Sequence, residues 1–264
     1  MSTLYRREVV NRLAFIDNKL PGWVSTLSLI GLIVLWEAVC RISSVPELYL
    51  PAPSAILTTG WNMLSSGELL INAEASLYRI IWGFVIGSVT GIVLGLATGF
   101  FTIAEAVGNP IVHALYPVPK IALLPLIILW LGIGEVSKIT IISLGVFFPV
   151  IINTYSGVKH VDPLLIKAAV AFRASRINII RKVILPGALP VIFAGLKLAA
   201  GTSLLLLVAA EMIAAKEGIG AMILHYGDLM LTTKLMVGVL ALSLLGIAFN
   251  YLLNWLEKRL ISWR

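Results

Sequence analysis

The chain has 264 residues, 59% hydrophobic and 12% charged, with 20 Lys and Arg against 13 Asp and Glu for a net charge of +7. A globular domain is about 45–50% apolar and about 25% charged, so too few charges are present to cover even one soluble core; the mean hydropathy of +0.99 agrees. The pI near 9.6 does not indicate nucleic acid, because these charges sit at the ends of apolar runs rather than on a folded basic surface. The single cysteine, Cys40, excludes an intrachain disulfide and a cysteine-built zinc cage. The composition is that of an all-α integral membrane protein.

Residues 1–21 are polar and basic, without the apolar core and small-residue cleavage site of a secretory signal. They are expected to form a cytoplasmic segment ahead of an anchor that is retained. A membrane-crossing helix takes about 20 mostly apolar residues, and gaps between charges locate six. The first is the charge-free run 20–36, extending past Glu37 to about Ile42. The run 48–67 is broken by Pro51 and Pro53 and rich in Ser, Thr and Gly, which predicts an external loop with a short interfacial helix around Ser54–Leu64 and Trp61 at headgroup depth. The remaining spans fall at 80–104, 106–133 across Lys120, 139–158, 187–210 across Lys197, and 235–256. The expected boundaries are 22–258 for the membrane domain and 259–264 for a cytoplasmic C-terminus.

With both termini cytoplasmic, that side holds 13 of the 20 Lys and Arg, including Arg6, Arg7, Arg12 and Lys19 at one end and Lys258, Arg259 and Arg264 at the other. This is the bias that orients membrane proteins. Gly83, Gly87, Gly91 and Gly95 recur every fourth residue and read as a helix-packing stripe. Glu37 and Arg79 lie near span ends and read as structural anchors.

The cytoplasmic stretch 159–185 exceeds the 2–8 residues that a helix connection usually takes. Asp162-Pro163 is a helix start, and Leu164, Leu165, Ala168, Ala169 and Phe172 follow at helical spacing. Ser175 offers a second cap, and Ile177, Ile180 and Ile184 a second apolar face that Pro186 is expected to stop. Two short amphipathic helices with a turn near Arg173–Ser175 are therefore expected, either lying on acidic lipid or docking a partner protein.

Lys167-Ala168-Ala169, Arg173 and Val183-Ile184-Leu185-Pro186 have the spacing of the EAA loop, and the chain thereby resembles the permeases of ABC importers. Ala168, Ala169, Leu185 and Pro186 match the pattern, while Lys167, Arg173 and Val183 replace its Glu, Gly and Ile. Tyr116–Ile139 and Leu207–Ile223 resemble the nitrate, sulfonate, taurine and bicarbonate branch. The resemblance implies a type I importer bundle of six transmembrane helices in the bacterial plasma (inner) membrane, working as a homodimer. It further implies two cytoplasmic ATPase subunits, which hold the ATP and Mg, and an external substrate-binding protein. Lys167, Ala168, Ala169, Phe172, Arg173, Ala174 and Ser175 would line the ATPase contact, with acids in the ATPase groove facing Lys167 and Arg173. The implied cargo is a small anion or zwitterion such as taurine, an alkanesulfonate, nitrate or bicarbonate.

The chain has no Gly-Lys-Ser/Thr phosphate loop, so it is not expected to hydrolyse ATP or to act as an enzyme. Gly132-Ile-Gly134 and Gly218-Ile-Gly220 lack a third glycine and read as turns at span ends. His113, His160 and His225 share no metal-ligand spacing, and no cofactor or metal is expected in this chain. Charges at membrane depth cost about 2.5–3.5 kcal/mol and usually face an interior or a cavity. Lys120 follows Tyr116-Pro117-Val118-Pro119, with Pro125 beyond. Broken helices are tolerated where they line a cavity, so these residues form either a pathway wall favouring an anion or a packing kink with a snorkelling lysine. Lys197 faces the pathway or pairs with a carboxylate. Glu211, the acid of the branch's Ala-Glu-Met pattern, is a gate or a structural ion pair. A stand-alone secondary transporter or channel is the competing class. It would need mid-membrane coupling groups and often inverted repeats, and neither is evident.

Overall fold

The computed structural model describes residues 22–43 and 46–261. Arg6, Arg7, Arg12, Lys19 and Arg264, and with them most of the expected terminal segments, lie outside the described residues. The first helix, α1 (Gly22–Ile42), occupies the first expected span. Glu37 is its anchor, accepting from Arg41 Nε at 2.6 Å and from the Ser54 backbone N–H and hydroxyl at 3.0 and 2.7 Å. Those bonds fasten α1 to the start of α2 (Pro53–Ser65), whose proline sits where a missing N–H costs nothing. Trp61 on α2 is 70% exposed, consistent with a short interfacial helix.

Gly67, at φ 81°, turns the chain into α3 (Glu68–Phe100). This helix begins twelve residues before the charge-free run that marks it. Glu68, Glu74 and Arg79 are therefore helical residues, and Arg79 is 4% exposed. After an extended Phe101 comes α4 (Thr102–Leu115), then Tyr116–Pro119, a 3-10 turn at Lys120–Leu123 and α5 (Leu124–Leu131). The segments Thr102–Leu115 and Lys120–Leu131 meet at 89°, the geometry of a broken span or a re-entrant loop. Pro117 and Pro119 explain the break, since neither can donate to a helix. Gly132, also at φ 81°, ends α5 before α6 (Glu135–Lys159), so the Gly132-Ile-Gly134 turn falls where expected.

After α6 the stretch 159–185 forms an elbow that contains α7 (Pro163–Ala171) and α8 (Arg176–Ile179), with the turn between them at Phe172–Ser175. Pro186 does not stop the helix as expected. From Arg176 the chain continues through a π-turn at Ile180–Ile184 into α9 (Leu185–Ala214). Proline normally breaks a helix by lacking a donor and crowding the carbonyl four residues back. Widening the preceding turn to i→i+5 bonds moves that carbonyl aside, and the proline enters as the first turn of α9. Two further helices, α10 (Ile219–Asp228) and α11 (Thr232–Leu260), complete the described chain.

Among the described residues, four helical stretches are long and apolar enough to cross a membrane, namely α3, α6, Arg176–Ala214 and α11, and there are five if the bent pair forms one span. The core is α6, held between α3 and α9. Along one side the glycine stripe of α3 faces Ile142, Val146, Val150 and Thr154 in register, and Gly99 extends it to Val158. On the other side Gly157 and Gly195 bring α6 and α9 together at Ala188 and Asn153. The stripe is a packing seam, as its spacing implies. By contrast, α11 is largely exposed along its length, as are the outward faces of α1, which suits helices bathed in lipid.

Candidate functional site

The chemistry of this chain gathers in three places. The first is a cavity of about 440 Å³ at the broken third span. Tyr116, Pro119, Lys120 and Ile121 contribute from the break, Gly145, Phe148 and Pro149 from α6, and Thr202, Leu205 and Leu206 from α9. Pro149 helps to make it. It cannot donate to the Gly145 carbonyl one turn back, and that oxygen instead accepts from Thr202 Oγ1 at 3.3 Å. The Lys120 ammonium donates to the Tyr116 carbonyl and lies 5.0 Å from the Tyr116 ring and 4.5 Å from the Phe148 ring. Ring quadrupoles attract a cation without neutralising it. Among the described residues no carboxylate lines the cavity, so Lys120 has no counter-ion there.

The second is a buried ion-pair network joining α3, α6, α9 and the turn before α10. Arg79 grips Glu135 in two bonds, from Nε at 2.7 Å and Nη2 at 2.9 Å. Its Nη1 reaches Glu211 Oε1 at 2.7 Å and the Glu217 carbonyl at 2.6 Å. Glu211 is fully buried and also accepts from Ser76 Oγ at 2.8 Å and from the Gly220 N–H at 2.8 Å. Lys138 adds a bond to Glu135 at 2.8 Å. Gly218 takes φ 132°, and a Cβ there would lie 2.5 Å from the Glu211 carboxyl carbon. Only glycine lets the turn close over the carboxylate at that distance. Every oxygen of Glu211 is spent on a partner, which makes the group a tie between helices rather than a charge facing a path.

The third is the elbow. The Asp162 side chain caps α7 by accepting from the Leu164 N–H at 2.8 Å, and the Ser175 hydroxyl caps α8 by accepting from the Asn178 N–H at 3.4 Å. Between them Arg173 adopts the left-handed φ of 55°, while the Ala174 N–H bonds back to the Ala169 carbonyl at 3.0 Å. This is a helix C-terminal motif that glycine usually fills, and an arginine there gives up about 1–2 kcal/mol of backbone freedom from clash. Val161 is buried and Ile184 packs on the core, but the apolar face of α7 stays largely open. Phe172 is 86% exposed and Leu164 70%, and Lys167, Ala168 and Arg173 are exposed beside them.

Of the sequence-predicted pathway residues, Tyr116, Pro119 and Lys120 line one cavity with Pro117 in the same break, while Lys197 and Glu211 lie outside it. Lys197 pairs with Glu257 on α11. The seven elbow residues fall together on α7 and the turn after it. Phe148, Pro149 and Thr202 were not singled out by sequence, although a proline inside a charge-free span is a usable sign of a kink. Glu135, Ser76 and the Gly218 turn carry one general signal, that a buried Arg79 must find acids.

The family described as binding-protein-dependent transport system inner membrane component matches residues 87–262. The putative aliphatic sulfonates transport permease protein SsuC of Bacillus subtilis (strain 168) is 36% identical, over 94% of this chain and 90% of that protein. The taurine transport system permease protein TauC of Escherichia coli (strain K12) is 35% identical, over 88% of this chain and 86% of that protein. Among solved structures, an inward-facing conformation of the MetNI methionine ABC transporter aligns at a TM-score of 0.58 with 21% identity, covering 70% of this chain and 93% of that one. That likeness extends to the fold. On the sequence match and the helical architecture together, the chain belongs to the binding-protein-dependent transport system inner membrane components, the permeases of ABC importers.

Proposed function

We propose that this chain is one half of the membrane pathway of an ATP-driven importer for a small sulfonate-type anion or zwitterion, worked by ATPase subunits that grip the elbow 159–185. The observation that carries the proposal is the elbow itself, a capped helix pair that leaves Leu164, Leu165, Phe172 and Ile177 exposed together with Lys167, Arg173, Arg176, Arg181 and Lys182. An exposed face of that kind calls for a partner, and small Ala168 and Ala169 allow one to approach closely. The continuous helix from Arg176 to Ala214 supports a mechanical role, because a push on the elbow is delivered into the membrane along one rod.

In this reading α1 and the broken α4–α5 pair are the first and third of six spans, with both termini cytoplasmic. A second copy of the chain completes the pathway, and an external binding protein delivers the cargo to the opposite face. Movement of the ATPases rocks the two copies between inward- and outward-open states. The sulfonate and taurine permeases among the relatives support a cargo with a sulfonate head, and the Lys120 ammonium agrees with them.

The test is charge reversal at the grip. Lys167→Glu is expected to weaken co-purification of the ATPase subunit by about tenfold, the scale on which a misplaced interface charge discriminates, and to lower substrate-stimulated ATP hydrolysis in proportion. Unchanged assembly and coupling would overturn the proposal. The chain expressed without its ATPase should show no uphill uptake, which separates it from a secondary transporter.

A further inference from the structure

The elbow leaves the membrane body at Lys159, which is at once the last residue of α6 and the first of the stretch 159–185. Its ammonium donates to Glu105 Oε2 at 2.6 Å, and the Tyr155 hydroxyl donates to Glu105 Oε1 at 2.7 Å. Glu105 stands in the first turn of α4. The far end of that helix runs into the break whose Tyr116, Pro119 and Lys120 line the cavity. One helix therefore joins the root of the elbow to the cavity, and a carboxylate bonded through both oxygens holds its foot. We infer that Glu105 is a positioning residue for transport, the link through which displacement of the elbow tilts α4 and moves the cavity wall. The inference deepens the reading of the chain as an importer worked through its elbow, and rests on it.

The packing of α4 suits a moving part. Glycines bring α3 and α9 against α6 at backbone distance, as at Gly87 beside the Ser143 carbonyl and Gly195 beside the Pro149 carbonyl. The contacts of α4 with α6 are made by side chains: Glu105 at its foot, Val112 with Phe148 and Ile151 higher up, and the Tyr116 ring 6.4 Å from that of Phe148. Its outward residues Ile103, Val107 and Ile111 are exposed. Close-packed seams resist sliding, whereas an element with few buried contacts is where a fold shifts first. Against α3 the helix rests on Gly108, where a Cβ would lie 2.7 Å from Thr98 Cγ2. Glu105 lies on one side of this support and Tyr116 on the other, so a sideways pull at the foot swings the head in the opposite sense. The 14 residues of α4 span about 21 Å at 1.5 Å per residue, which reaches from the root of the elbow to the cavity without a second helix. A partly exposed pair such as Lys159–Glu105 adds little stability; what it supplies here is a fixed attachment.

The experiment uses the full chain assembled with its ATPase in lipid nanodiscs. Cys40→Ser and Ile121→Cys are introduced so that a small water-soluble maleimide reports on the cavity wall, which Ile121 lines and where it is exposed. Trapping the ATPase with ADP and vanadate is expected to change the labelling rate at position 121 by about fivefold or more, the lower end of ordinary coupling between sites. Glu105→Gln keeps the shape but not the charge and should reduce that change to under about twofold. Lys159→Glu, which sets two carboxylates face to face, should do the same. Combining Glu105→Lys with Lys159→Glu restores the pair and should restore the response, as a direct interaction requires. Tyr155→Phe removes one of the two bonds and should lower the response by a smaller factor. Co-purification of the ATPase with the Glu105→Gln chain should match the parent's, and its thermal midpoint should lie within about 3 °C of the parent's, so loss of assembly or fold is read separately. A parental response in Glu105→Gln, a midpoint lowered in step with a lost response, a swapped pair that does not recover it, or no response in the parent would each overturn the inference. If Lys167→Glu abolishes the response while Glu105→Gln leaves it intact, only the link falls; if Lys167→Glu leaves assembly and coupling unchanged, the importer reading falls and the link with it.

Discussion

Replacing Glu211 by alanine is expected to cost about 3–5 kcal/mol, the usual loss when one partner of a buried charged pair is removed. The Ser76 hydroxyl and the Gly220 N–H lose their carboxylate acceptor, and Arg79 Nη1 is left with the Glu217 carbonyl alone. None of them has water to fall back on, since Ser76 and Glu211 are wholly buried and Arg79 is 4% exposed. Arg79 keeps Glu135, which holds the loss near the lower end of that range. The turn at Gly218 is left with its bonds to Asn72 and Ser76, so the junction of α10 with α3 should loosen before the core seam is affected. Thermal unfolding of the purified chain measures this. The useful reference is Lys197→Ala, which removes a more exposed pair with Glu257 and is expected to cost at most about 1 kcal/mol. A Glu211→Ala chain that melts no lower than Lys197→Ala would show that the network does not hold the helices together.

A comparably large effect is expected further along the same face of α3. Gly87→Val sets a branched side chain where a single Cβ would already lie 2.5 Å from the Ser143 carbonyl oxygen and 2.7 Å from Val146 Cβ. A flexible side chain could swing away, but the nearer obstacle here is backbone. The two helices have to part, and because Gly83, Gly91 and Gly95 sit in the same seam, the separation spreads along it. Overpacking a tight interior typically costs about 1–3 kcal/mol, and a rigid backbone obstacle puts this case at the top of that range. Gly31, with nothing within 4 Å of an added Cβ, provides the control. Gly31→Val should leave the purified chain's thermal midpoint unchanged, whereas Gly87→Val should lower it and reduce membrane abundance. Equal behaviour of the two variants would refute the close-packed seam.

Both effects illustrate what a single sequence conveys about such a chain. Runs free of charge locate the spans because burying a charge in lipid is costly, and the same rule misplaces the start of α3. Glu68, Glu74 and Arg79 interrupt the run, yet they continue the helix, two of them because partners distant in sequence compensate them. Arg79 meets Glu135 and Glu211, which are 56 and 132 positions away, and Glu68 receives the Tyr226 hydroxyl. No periodicity encodes such pairings. Proline illustrates the same limit. Pro117 and Pro119 break a helix as their chemistry dictates, whereas Pro186 is absorbed by a widened turn and Pro149 by a hydroxyl from a neighbouring helix. What a proline does depends on whether something else can meet the freed carbonyl, and that is settled by packing.

The elbow was legible for a simpler reason: its caps, its apolar stripe and its turn are all local. Asp162, Ser175 and the left-handed residue at 173 act within a few positions of themselves. Its use was not legible from local structure, since an amphipathic helix pair suits a lipid surface or a protein groove alike. Resemblance favoured the groove. The exposed Phe172, at the tip of the elbow and beside Arg173, sharpens the question to what touches that ring.

The most direct measurement is therefore of contact. A photoreactive phenylalanine analogue placed at position 172 of the full-length chain, in membranes that also contain its ATPase, should on irradiation give one dominant adduct to the ATPase subunit, and nucleotide should change its yield. A ring that instead labels only phospholipid, in membranes where transport is intact, would contradict the claim that this elbow is where ATP-driven motion enters the membrane.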